Sequence, residues 1–126
     1  MVEIKEIISN LRISALENNI KLAGLAVIST EGNLIYQTEN WDLSNQIRNI
    51  LYIIKGDNPF VLNNIEFTVV KSTSAGIVGT NQSGMGHVIF VFFQGGILIA
   101  NALPQANPDL ALSFLKKEVN NLDGKL

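Results

Sequence analysis

Residues 76–103 read GIVGTNQSGMGHVIFVFFQGGILIANAL, and two glycine-rich breaks divide the stretch into three extended segments. Residues 75–81, AGIVGTN, make a short strand. Residues 82–86, QSGMG, are a turn, because glycine reaches the positive φ of tight turns at no steric cost. Residues 87–94, HVIFVFFQ, are apolar at odd and even positions alike, as a central strand covered on both faces must be. Gly95-Gly96 makes the second turn, and residues 97–103, ILIANAL, form the next strand. Just upstream, residues 65–72, IEFTVVKS, put Ile65, Phe67 and Val69 on one side and Glu66 and Thr68 on the other, the period of a strand. Consecutive strands joined by tight turns imply an antiparallel meander.

Toward the N-terminus, VEIKEIISNLRISALEN places Ile4, Ile7, Ile8, Leu11 and Leu16 on one stripe, with Glu3, Lys5, Glu6, Asn10 and Arg12 opposite. This is an amphipathic helix, and Asn18-Asn19 is its stop. LAGLAVIS (22–29) and LIYQT (34–38) are strands joined through Glu31-Gly32-Asn33 into a hairpin. After Asn40-Trp41-Asp42, either Asp42 or Ser44 can cap a helix over 43–55 that buries Leu43, Ile47, Ile50, Leu51 and Ile54. Gly56-Asp57-Asn58-Pro59 ends it, because a proline disfavours helical backbone at the residue before it.

At the other end, Asn107 is a good N-cap, Pro108 suits the first helical position, and Asp109 favours the positive helix end. Leu110, Phe114, Leu115, Val119 and Leu122 form the apolar stripe of this last helix, which stops near Asp123-Gly124. The order is α β β α β β β β α. Strands apolar on both sides need cover on both faces. The expected architecture is therefore α/β: one antiparallel sheet of about six strands, the terminal helices on one face and the middle helix on the other. With 126 residues, 47% of them apolar, and no linker or repeat, residues 1–126 are expected to be a single domain.

Composition removes whole classes of chemistry. The chain has no cysteine and one histidine, His87, at the start of a strand and far from any nucleophile motif. A Ser-His-Asp triad has nothing else to use, and a tetrahedral metal site lacks ligands. Catalytic residues, metal and cofactor are all expected to be absent. Gly76-Ile77-Val78-Gly79 and Gly84-Met85-Gly86 are followed by neither Lys-Ser nor a helix start, so they are strand turns and not a phosphate cradle. A net charge of −2 with scattered basic residues argues against nucleic acid. No run approaches the roughly 18 apolar residues of a membrane span, and the N-terminus does not read as a signal peptide. Asn81-Gln82-Ser83 matches a glycosylation sequon, which without a secretion signal is a chance match.

The ordered pattern resembles profilin, in its divergent archaeal form. LAGLAVISTEGNLIYQTENW is similar to that family's first hairpin, NPFVLNNIEFTVVKSTSAGIVGTNQSGMGHVIFVFFQGGILIANAL to its four-strand run, and PQANPDLALSFLKKEVNNL to its last helix with a proline-containing lead-in. The resemblance covers roughly Glu6 to Leu122. It implies a cytoplasmic, cytoskeleton-associated monomer that binds actin or an actin homologue and regulates polymerisation by forming a stoichiometric complex. Carried over, the actin face comprises Lys71, Thr73, Ile77, Gly79, Asn81, Val88, Phe90, Gln105, Ala106, Asn107, Leu110, Ser113 and Lys117. The large apolar members, Val88, Phe90 and Leu110, have a core reading beside the binding one, because such residues are usually buried.

Two departures bear on further ligands. Eukaryotic profilins carry basic residues where this chain reads Gly79-Thr80-Asn81-Gln82, and their loss weakens charge-steered contacts and phosphoinositide binding. The family also stacks proline-rich peptides on aromatics from both terminal helices and the second strand. Here Ile4 and Ile8 stand on the first helix and only Tyr36 matches. Proline-rich peptides and phosphoinositides are expected to be weak ligands or none. The alternative reading is a roadblock- or longin-like dimerising scaffold for small GTPases, which shares the opening helix, hairpin and second helix. It normally has three strands, not four, between the last two helices, so it gains if residues 87–99 are one strand. A PAS-like sensor would need a polar pocket within the sheet, where Val88–Phe93 instead suggest a filled core.

Overall fold

The computed structural model describes residues 3–39 and 41–126; Val2 of the expected first helix and Asn40 of the following loop lie outside them. Helix α1 spans Ile4–Glu17 and buries Ile7, Ile8, Leu11 and Ala15. Leu16, expected on that stripe, is 80% exposed, because Ala15 takes the next inward position after Leu11. Asn18 closes the helix by donating its side-chain N–H to the Ser14 carbonyl (2.8 Å), and Asn19 follows with φ +58°.

Strands β1 (Leu22–Ser29) and β2 (Leu34–Gln37) form the expected hairpin, with Gly32 at φ +92° in its turn. Helix α2 is shorter than expected, Ile47–Ile54. Asp42 does not cap it. Its carboxylate instead accepts from the Ser44 hydroxyl and amide and from Gln37, forming a turn ahead of the helix. The Ser44 hydroxyl, then the Ser44 amide, hold the Asp42 pKa below its ordinary value. Leu43 is fully buried, yet from that loop and not from a helix.

A strand that the sequence reading did not anticipate follows: β3, Phe60–Leu62. It pairs with β4 (Ile65–Ser72) through Asn63 and Asn64, both in the left-handed region at φ +51° and +66°. Two consecutive left-handed residues are what a two-residue hairpin turn demands, and asparagine tolerates them. Asn63 anchors the hairpin to the loop before α2. Its amide donates to Gln46 Oε1 (3.1 Å) and its side chain to the Asp42 carbonyl (3.1 Å).

Strands β5 (Gly76–Thr80), β6 (His87–Phe93) and β7 (Gly96–Ala102) complete the meander. β6 and β7 are separate strands turned at Gln94-Gly95, which removes the condition that favoured the GTPase-scaffold reading. Among the described residues the sheet has seven antiparallel strands in the order β2-β1-β7-β6-β5-β4-β3, one more than expected. Helix α3 (Pro108–Glu118) runs into a 3-10 helix at Val119–Leu122. Its buried side is Ala111, Leu112 and Leu115; Leu110, expected inward, is 60% exposed.

Two apolar layers flank the sheet. Ile8, Leu25, Val78, Ile89, Leu98 and Leu112 pack with α1 and α3 on one face. Trp41, Ile50, Ile53, Phe60, Phe67 and Phe90 pack with α2 on the other. The terminal helices thus share one face and the middle helix covers the other, as the two-sided strands required. Among the described residues no helix is long and apolar enough to cross a membrane, and no group of acidic or histidine side chains could hold a metal ion.

Candidate functional site

The surface built around the start of α3 begins with its cap. Asn107 Oδ1 accepts from the Asp109 and Leu110 amides (3.0 and 3.3 Å), and Pro108 fills the first position, where no N–H is needed. Asp109 in the first turn and Lys116 and Lys117 in the last complement the helix dipole. With Ala111, Leu112 and Leu115 turned to the sheet, Leu110, Ser113 and Lys117 lie on the outer side. Because two helix-start donors rest on one side chain, Asn107→Ala is expected to cost about 1 kcal/mol of stability by urea unfolding. A loss below about 0.3 kcal/mol would show that the cap is dispensable.

Lys71 on β4 reaches this helix through an ion pair with Asp109 (3.1 Å). Both partners are largely exposed, so the pair places Lys71 beside α3 and adds little stability. Thr73 is exposed too, although its hydroxyl accepts from the Ala75 and Gly76 amides (3.2 and 3.1 Å) and shapes the β4–β5 turn. Gln105 and Ala106 precede the cap on a loop fixed by the Leu103 amide donating to the Lys21 carbonyl (2.9 Å). Lys71, Thr73, Gln105, Ala106, Asn107, Leu110, Ser113 and Lys117 are all exposed or half-buried, on and around the α3 side of the molecule.

The remaining expected contacts lie elsewhere. Ile77, Val88 and Phe90 are buried in the layer against α2, on the opposite side of the sheet from α3. Gly79 faces the same way: a Cβ there would sit 2.6 Å from Phe60 Cζ. None of the four can meet a partner while the domain is closed. Asn81 is half-buried, and its side chain serves the β5–β6 turn. It accepts from the Ser83 and Met85 amides (2.9 and 3.0 Å) and donates to the Glu66 carbonyl (2.7 Å).

Strand parity explains why these four are buried and which of their neighbours face the other way. Alternate residues of a strand face opposite sides. The positions facing α3 are therefore those between the four buried ones. Thr68, Thr80 and His87 sit side by side across β4, β5 and β6, all half-buried, with Thr80 Oγ1 3.0 Å from His87 Nδ1. They continue toward the loop before α3, where Pro104 Cδ is 3.8 Å from where a Gly86 Cβ would be. The signal was present in the sequence: these are the polar members of otherwise apolar strands.

The expected proline-peptide positions do not form a groove. Ile8 is fully buried, and Ile4 and Tyr36 are partly buried against the same core. The open groove between α1 and the C-terminal segment, about 390 Å³, is lined by Ile7, Asn10, Leu11, Ser14, Glu118, Asn121 and Lys125, with no aromatic ring among them. Trp41 is on the other face of the sheet, its Cβ 2.9 Å from where a Gly24 Cβ would be.

Comparison with known proteins places this architecture. No family model matches the chain. Loki profilin-2 of Lokiarchaeum sp. (strain GC14_75) is 32% identical over 111 residues, which cover 76% of this chain and 83% of that protein. Thor profilin of Thorarchaeota archaeon (strain AB_25) is 27% identical over 104 residues, 79% of this chain and 81% of its own. Among solved structures, a LokiProfilin2/rabbit actin complex contains a chain that superposes with a TM-score of 0.87 at 29% identity, covering 100% of both chains. Profilin IB of Acanthamoeba castellanii shares the fold alone, with a TM-score of 0.69 at 16% identity over 89% of this chain and 96% of its own. With the helix–sheet–helix layering, the seven-stranded order and a relative this similar over most of both chains, the chain belongs to the profilin family.

Proposed function

We propose that this protein binds monomeric actin or an actin homologue and regulates polymerisation by forming a stoichiometric complex, without catalysing any reaction. The observation that carries this reading is the full-length similarity to the profilin in the LokiProfilin2/rabbit actin complex. The surface chemistry supports it. The α3 face mixes exposed apolar, amide and charged side chains, the composition of a recognition surface. Binding one side of an actin monomer blocks that side from joining a filament and leaves the other free. The protein then acts in the cytoplasm, with the cytoskeleton, as a single domain. The groove beside α1 offers no flat aromatic surface to a proline-rich chain, and such peptides bind weakly or not at all.

Pyrene-labelled rabbit actin, with any actin homologue of the source organism in parallel, tests the proposal. Assembly is expected to slow in proportion to added protein. Lys117→Glu is expected to weaken the effect roughly fivefold at low salt, with little change in thermal unfolding, because Lys117 is an exposed charge on the contact face. Undiminished assembly of both actins would sink the proposal, and a fully active Lys117→Glu protein would move the face away from α3.

A further inference from the structure

Ile20, in the turn between α1 and β1, is half-buried and stands between two exposed leucines. On one side it shares a small depression of about 80 Å³ with Leu16, which is 80% exposed at the end of α1. On the other it shares a depression of about 180 Å³ with Ala106 and Leu110, the latter 60% exposed. Ile20 lines both, so these four side chains form a band that crosses from α1 to α3, with Asn19, Gln105 and Asn107 also lining its second depression. Arg12 borders it beside Leu16, and Lys21 borders it beside Leu110, giving a polar rim around an apolar centre.

Leu16 has no packing role in the fold, since the buried stripe of α1 is Ile7, Ile8, Leu11 and Ala15. A contiguous exposed apolar patch with a polar rim marks a contact surface. The band is continuous with the proposed actin face, because Ala106 and Leu110 belong to both. A standard interface takes about 20–30 residues a side, far more than the eight α3-centred positions supply. We propose that the actin-binding face continues across Ile20 onto the C-terminal end of α1, with Leu16 as its second apolar anchor beside Leu110. This rests on the actin-binding reading above and adds a helix to it.

The test compares three variants as full-length proteins against monomeric actin. Leu16→Gln and Leu110→Gln keep helix propensity, since glutamine is close to leucine in that respect. Tyr52→Gln removes a 52% exposed ring from α2, on the opposite face of the sheet. Leu16→Gln and Leu110→Gln are each expected to weaken binding roughly five- to tenfold, Tyr52→Gln not at all, with similar unfolding midpoints for all three. Amide exchange in residues 12–20 is expected to slow on complex formation. Loss of affinity from Leu110→Gln with none from Leu16→Gln overturns the extension and leaves the α3 face standing. If the unaltered protein binds and neither leucine matters, both the extension and the α3 face fall. If the unaltered protein does not bind actin, the function proposal falls with them.

Discussion

Phe90→Ala is expected to lower the unfolding free energy by about 4 kcal/mol. Phe90 is the largest fully buried side chain among the described residues and sits at the middle of β6, paired to Ile77 on β5 and Ile99 on β7. Its ring meets Phe60 edge-on at 5.9 Å, and the layer between sheet and α2 closes over both. Deleting it removes the transfer energy of a phenyl group and leaves a cavity walled by β-strands that can collapse only in part. A domain of this size has only about 5–15 kcal/mol to lose. Urea unfolding is the direct measurement, with a lower midpoint at an unchanged slope as the expected form. The resemblance placed Phe90 on the actin face, and Phe90→Leu separates the two roles. It keeps most of the buried volume, so actin affinity is expected to stay within about twofold at temperatures where the protein is folded. A loss below about 1 kcal/mol for Phe90→Ala, or a large affinity loss for folded Phe90→Leu, would put the ring at the surface.

Gly79→Val is expected to destabilise by about 3 kcal/mol, through crowding. A Cβ at this position would lie 2.6 Å from Phe60 Cζ and 3.2 Å from Phe67 Cβ. The Phe60 ring has no easy way out, because it stacks on Phe67 at 5.5 Å and meets Phe90 edge-on at 5.9 Å. Valine adds two methyls to that conflict. Shortening the obstructing ring should relieve it: Phe60→Leu combined with Gly79→Ala is expected to be less destabilised than the sum of the single changes. Additive losses would mean that the glycine is required for another reason. Bulk at Gly79 therefore acts on folding first, and a bulky variant there reports on the core and not on the partner face.

Where residue chemistry acts locally, the sequence was a good guide. Glycine-rich turns, the two-sided apolarity of β6, the Asn18-Asn19 stop and the Asn107-Pro108-Asp109 helix start all appear where expected, because each depends on a few adjacent residues. The layering of the helices followed from two-sided strands needing two-sided cover. β3 was missed because three apolar residues are too few to show a period, although Asn63-Asn64 could have signalled the turn after it. The start of α2 was placed too early because Asp42 and Ser44, good caps in isolation, hydrogen-bond to each other in a turn of their own. The α3 half of the candidate face named by resemblance lies at the surface. In the strands, one residue of parity moves a side chain from one face of the sheet to the other. Ile77, Gly79, Val88 and Phe90 fell on the α2 side, while Thr68, Thr80 and His87 hold the side toward α3.

Titration of monomeric actin into this protein, followed by calorimetry with sedimentation of the mixture, tests the central claim most directly. A single one-to-one complex is expected, weakened by Lys117→Glu and by Leu110→Gln and unaffected by Tyr52→Gln. No complex with muscle actin or with the source organism's actin homologue, or a complex indifferent to both α3 substitutions, would contradict it.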